Sequence, residues 1–107
     1  NKAPVLLLIA AKKTFTYNNK ENFWHMFDTG TAWGFLSLEA QRRGLITHAM
    51  GGFDMDQARL SFNIPEDYEI ITIVAVGKYG NKENLDPKLQ TREHPDGRME
   101  TEKLILK

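Results

Sequence analysis

The 107-residue sequence predicts an α/β domain in three layers, with helices on both faces of a sheet. Three observations carry this. Residues 4–11 and 69–76 are two runs apolar on both faces of a strand, so both of their sides need a cover. Residues 23–43 read as one long helix, with Ala32, Trp33, Phe35, Leu36, Leu38 and Ala40 on more than one face of its wheel. The elements also alternate along the chain: strand, helix, strand, helix, strand, then a polar tail.

The first strand opens on Pro4, where a proline owes no hydrogen bond to a ladder, and ends at Lys12-Lys13. Tyr17-Asn18-Asn19-Lys20 reads as a turn. The long helix follows, with Asp28 or Thr29 as inner caps and Gly44 as its stop. Gly30 and Gly34 lie four apart on one side of it, a spacing that suits close helix approach. A helix this apolar is buried nearly all round. A short chain has little material to enclose it. Either a second subunit or a missing half covers it, or Glu39, Gln41, Arg42 and Arg43 make a sufficient solvent stripe.

Residues 45–50 read as a short buried strand. Gly51-Gly52 follows, then a helix over residues 55–62 capped by Asp54, with Gln57 as the reciprocal member of a capping box. Pro65 ends that helix, and residues 69–76 form a strand for the sheet centre. Residues 82–107 are polar and charged, with Pro87, Pro95 and Gly97, and resemble an arm lying over a surface. Leu104-Ile105-Leu106 could anchor its end.

Gly51-Gly52 is the organising feature. Two side chains are absent at a strand's carboxyl end, so backbone can approach a ligand or take positive φ. Strand ends of this kind are where open α/β sheets place ligands. The plainer reading is a turn.

Composition narrows the chemistry. Fourteen basic and fourteen acidic residues cancel, which gives no footprint for nucleic acid. Cysteine is absent, so disulfides, thiolate catalysis and cysteine-bound metals are excluded. His25, His48 and His94 lack metal-ligand spacing, and no metal site is expected. Ser37 and Ser61 sit in no nucleophile motif. Asp54 and Asp56 are explained by capping and the helix dipole. Neither glycine-rich nucleotide fingerprint occurs. What remains is a ligand held by backbone, which suits a cofactor that brings its own chemistry. No bilayer span or signal peptide is evident, so a cytoplasmic location is expected. The chain opens on Asn1 and runs almost at once into a core strand, as expected of the second half of a larger domain.

Three motif groups, in order and spacing, resemble the FMN-dependent nitroreductase family. They are Ala3-Pro4-Val5-Leu6-Leu7-Leu8-Ile9; Asp28-Thr29-Gly30 leading to Leu36-x-x-x-Ala40-x-x-x-Gly44-Leu45-x-Thr47; and Met50-Gly51-Gly52-Phe53-Asp54 with Leu60-x-x-x-Ile64-Pro65-Glu66-Asp67-Tyr68-Glu69 and Val76-Gly77. The resemblance covers residues 1–107 as one nitroreductase-like domain, but only the second half of the family's domain. It implies a three-layer nitroreductase-like sandwich and a homodimer with two FMN sites at the subunit interface. It implies a flavin reduced by NAD(P)H, which then reduces a nitroaromatic, quinone or similar acceptor. It further implies that Ala49, Met50, Gly51 and Gly52 lie beside the isoalloxazine ring, with the Gly51 N–H facing flavin N5, and that Arg98 contacts the FMN phosphate. The flavin carries the chemistry, so no side chain is expected to be catalytic. The family's main phosphate ligands, Arg and Ser residues near its N-terminus, would precede the first strand seen here. The alternative is a truncated, flavin-free relative that serves as a dimerisation or interaction module.

Overall fold

The structure is a computed structural model and describes residues 3–107; Asn1 and Lys2 lie outside the described residues. The elements follow the expected order: β1 (Val5–Lys12), α1 (His25–Arg42), β2 (Ile46–Met50), α2 (Met55–Ser61) and β3 (Tyr68–Gly77). The tail holds one short helix, α3 (Pro87–Gln90), and single 3-10 turns at Lys82–Asn84 and Thr101–Lys103.

The sheet order is β1-β3-β2, and β3 pairs antiparallel with both neighbours. β1 and β2 are therefore parallel, joined by α1, with β3 slotted between them. Their carboxyl ends share one edge of the sheet, and α1 begins at that same edge because it runs back against both strands. β3 takes the centre, as its aliphatic sequence predicts. Val74 in its middle is fully buried, and Ile70, Ala11, Ala40 and Ala58 complete a small core. The register places Thr72, Val74 and Val76 on the same face as Leu7, Thr47 and Ala49. A hydrogen bond of 2.9 Å between the Ser37 and Thr47 hydroxyls ties α1 to this face.

The register slips between Ile9 and Ala10, so that Ile9 faces Thr72 and Ala10 faces Ile70. Ile71 is the extra residue of a β-bulge. Gly77 is needed for a different reason: a Cβ there would meet the Pro4 ring at 3.0 Å.

Several local expectations are corrected. Neither Asp28 nor Thr29 caps α1. The helix starts earlier, and Asn22 organises the start: its Oδ1 accepts the Trp24 N–H at 3.1 Å and its carbonyl accepts the His25 N–H at 3.1 Å. The stop is as expected. Gly44 has φ +73°, its N–H reaches the Gln41 carbonyl at 3.0 Å, and the Leu45 N–H reaches the Ala40 carbonyl at 2.8 Å. This is a Schellman cap. Asp54 caps α2 through the Gln57 N–H at 2.9 Å, but the Gln57 side chain turns to Ser61 instead of closing the box. β1 is an edge strand, so Val5 and Leu6 are half exposed within this chain. α1 likewise buries only Ala40 completely; Trp24, Met26, Phe27, Phe35 and Leu38 are exposed. The space beside Gly30 and Gly34 is open, so no helix of this chain approaches there.

Candidate functional site

β2 leaves the sheet early. Its last pair is Met50 with Ile73, while β1 and β3 pair on to Lys12 and Tyr68. The chain passes Thr72 as Gly51 and Gly52, then turns into α2. In the stretch of β3 without a β2 partner, Arg59 of α2 donates to the Tyr68 carbonyl at 2.8 Å. It also donates to Pro65 at 2.7 Å and to Ile64 at 3.3 Å. One planar guanidinium thus pins the loop that re-enters the sheet.

Ala49, Gly51 and Gly52 are exposed and Met50 is half buried. The glycines do not adopt positive φ; among the described glycines only Gly44 does, so that part of the expectation is corrected. Nor does self-packing require them, since a Cβ at either would meet nothing within 4 Å. Among the described residues, neither the Gly51 nor the Gly52 N–H donates to another protein group. Two backbone donors at the carboxyl edge of the sheet are therefore unclaimed, and the side-chain position of each glycine is open space. Such a pair can hold an acceptor atom of a flat ligand, and the missing side chains let a ring lie against the backbone.

Arg98 is not brought to this edge by any described hydrogen bond or ion pair. It is exposed, and its guanidinium donates to its own loop, to the Asp96 and Gly97 carbonyls, both at 3.3 Å. Residues 49–52 thus fit the ring end of a flavin, whereas the phosphate end is not assembled by these residues alone. A cavity of about 710 Å³ lies elsewhere. It opens between Ile46, at the other end of β2, and the tail residues Tyr79, Lys82, Leu85, Arg92 and His94. The sheet bounds it only through Ile46, so it is a gap beneath the tail and not the glycine edge. Among the described residues no cluster of His, Asp or Glu could hold a metal ion, and no helix is long and apolar enough to cross a membrane.

The profile of the Nitroreductase family matches residues 1–78 of the sequence. The chain belongs to the nitroreductase family. The solved structures agree on the nitroreductase fold. An oxidoreductase containing FMN superimposes with a TM-score of 0.87 at 28% identity, over 94% of this chain and 52% of that one. A nitroreductase family protein from Clostridium difficile 630 gives 0.68 at 20% identity, over 98% of this chain and 59% of that one. A nitroreductase from Exiguobacterium sibiricum 255-15, solved with FMN, gives 0.60 at 22% identity, over 76% and 34%. An uncharacterized 15.4 kDa protein of Mycolicibacterium smegmatis is 35% identical over 66 residues, 62% of this chain and 44% of that protein. The chain therefore spans from a third to three-fifths of the length of these relatives.

Two residues escaped the sequence reading. Arg59 gave no signal, because an arginine on a short amphipathic helix is unremarkable. Thr72 did give one, as the single hydroxyl in the aliphatic run 69–76. Its Oγ1 donates to the Met50 carbonyl at 2.8 Å.

Proposed function

We propose that this chain is the ring-facing half of an FMN-dependent oxidoreductase that takes electrons from NAD(P)H and delivers them to a nitroaromatic, quinone or similar acceptor. The observation that carries this is the unclaimed Gly51 and Gly52 N–H pair beside space that no side chain of this chain fills. Family membership and an FMN-containing relative at 28% identity support it. FMN, when bound, would supply the hydride chemistry at its own N5. The protein's share is to present the Gly51 N–H to that atom, to keep side chains off the ring, and to offer Arg98 to the phosphate.

The proposed assembly is a homodimer, with the exposed apolar face of α1 against a second copy. Its support is the amount of apolar surface that the chain leaves uncovered, from Phe23 ahead of α1 to Leu38 on it and from Met99 to Leu106 on the tail. The proposed location is cytoplasmic.

Gly51→Ala tests the flavin reading. A Cβ at Gly51 is free of clashes and of positive φ, so the unloaded variant should be as stable as the parent, or more stable by about 0.5 kcal/mol. FMN affinity, read by titration of flavin fluorescence, should fall at least tenfold. An unchanged affinity, or no uptake of FMN by the unaltered protein, rejects the reading. The second reading, a flavin-free dimerisation module, is favoured by one observation: Arg98 is spent on its own loop. A colourless dimer would support it.

A further inference from the structure

We propose that Thr72 is a positioning residue for the Gly51 N–H, aiming that donor out of the sheet toward the bound ring; this rests on the flavin reading above. The Met50 carbonyl and the Gly51 N–H belong to one peptide group. The Thr72 hydroxyl, on β3, donates to that carbonyl at 2.8 Å and makes a longer contact of 3.4 Å with the Ile73 carbonyl. There are no cis peptides among the described residues, and in a planar trans peptide C=O and N–H point in opposite directions. A carbonyl held toward β3 therefore sends the Gly51 N–H away from β3, into the open space beyond the edge of β2.

Two further features make the placement specific. Met50, opposite Ile73, is the last β2 residue paired with β3, and no ladder pair follows at Gly51. The hydroxyl of Thr72 adds a side-chain hold on the Met50 carbonyl at the point where the ladder stops. Thr72 also follows directly on the bulge at Ile71, and a bulge re-aims the side chains beside it. Without the hydroxyl, the Met50–Gly51 peptide is held less firmly, because Gly51 on its carboxyl side imposes little on its torsions.

The consequence is a device that acts on the cofactor through the backbone. A fixed N–H aimed at flavin N5 favours the oxidised ring, whose N5 is an acceptor, over the reduced ring, whose N5 carries a proton.

The test compares the parent full chain with Thr72→Val, which keeps the shape and loses the hydroxyl, and with Thr72→Ser, which restores it. Two readouts are taken. In the unloaded protein, the amide resonance of Gly51 and its hydrogen-exchange rate report the peptide orientation. In the loaded protein, the affinities for oxidised and reduced FMN give the potential. Thr72→Val should move the Gly51 amide and weaken oxidised FMN about tenfold more than reduced FMN, the loss of one hydrogen bond. That raises the two-electron potential by about 30 mV. Thr72→Ser should restore both. The proposal is overturned if Thr72→Val leaves the Gly51 amide in place, or if both redox forms of FMN weaken equally. It is also overturned if Thr72→Ser fails to rescue. If the unaltered chain binds no FMN, the flavin reading falls, and the orienting role is still decided by the Gly51 amide.

Discussion

Arg59 shows how one side chain can close a gap that the fold opens. It donates to the Ile64 and Pro65 carbonyls of the loop between α2 and β3 and to the Tyr68 carbonyl at the start of β3, where β2 no longer covers β3. Hydrogen bonds from a charged donor contribute about 1.5–3 kcal/mol, and carbonyls stripped of a donor away from water lose more. Arg59→Ala should therefore lower the unfolding free energy by about 2 kcal/mol in urea titration. Arg59→Lys should recover less than half of that, because an ammonium lacks the planar fork that spans three acceptors. Equal stability of the lysine variant would mean that charge alone matters. Gly51 and Gly52 stand at the opposite pole. No packing within this chain requires them, since a Cβ at either would meet nothing within 4 Å.

α1 is held at its two ends by different physics. At its carboxyl end Gly44 sits at φ +73° in open space, so a side chain there would meet no clash but would carry the backbone strain of the left-handed region. Gly44→Ala should cost about 1 kcal/mol, read as a fall in the thermal midpoint. The last turn also carries Glu39, clamped by both Arg42 and Arg43 at 2.8 Å. Hydrogen bonds from Arg42 first and Arg43 second hold its carboxyl below the usual carboxylate range. A carboxyl with a lowered folded pKa contributes stability above its unfolded pKa and loses it as pH falls through the folded one. Helix content near the end of α1 should thus decline only below about pH 4.5, the ordinary glutamate range. The clamp is exposed, so the decline should be small and should vanish in about 1 M salt. Glu39→Gln should remove the dependence, which circular dichroism against pH checks.

The whole molecule carries more surface than its mass accounts for. Its accessible area is 9189 Å², whereas a self-sufficient 12.3 kDa monomer exposes about 6,100 Å². Its radius of gyration is 17.2 Å, against about 13 Å for a compact chain of this length. The excess includes large apolar side chains on α1 and the tail. Burial of a few thousand Å² is what a permanent interface removes from water. The expected outcome is a stable dimer in sedimentation analysis, with Phe35→Glu on α1 shifting it toward monomer and lowering its stability. A well-folded monomer at micromolar concentration would refute this.

Much of the fold was legible in the sequence because hydrophobic patterning is a local property. The runs at residues 4–11 and 69–76, the glycine stop of α1 and the Asp54 cap each depend on a few neighbouring residues, and each appears where the pattern placed it. The bare segment 51–52 was legible for the same reason: two glycines at a strand end are visible in one dimension. What the tertiary structure alone decided is how distant segments meet. The order β1-β3-β2 puts the last strand in the middle, and no local pattern states which strands pair. Asn22 displaced Asp28 as the organiser of α1 because its backbone and side chain reach the helix start from the preceding turn. Thr72 met the Met50 carbonyl across 22 residues because strand pairing sets Met50 opposite Ile73, its neighbour. The sequence by itself determined the elements, the family and the bare glycine edge, since these follow from residue type and spacing. The structure decided which hydroxyl donates to the Met50 carbonyl at that edge, since such a contact exists only once strands are paired.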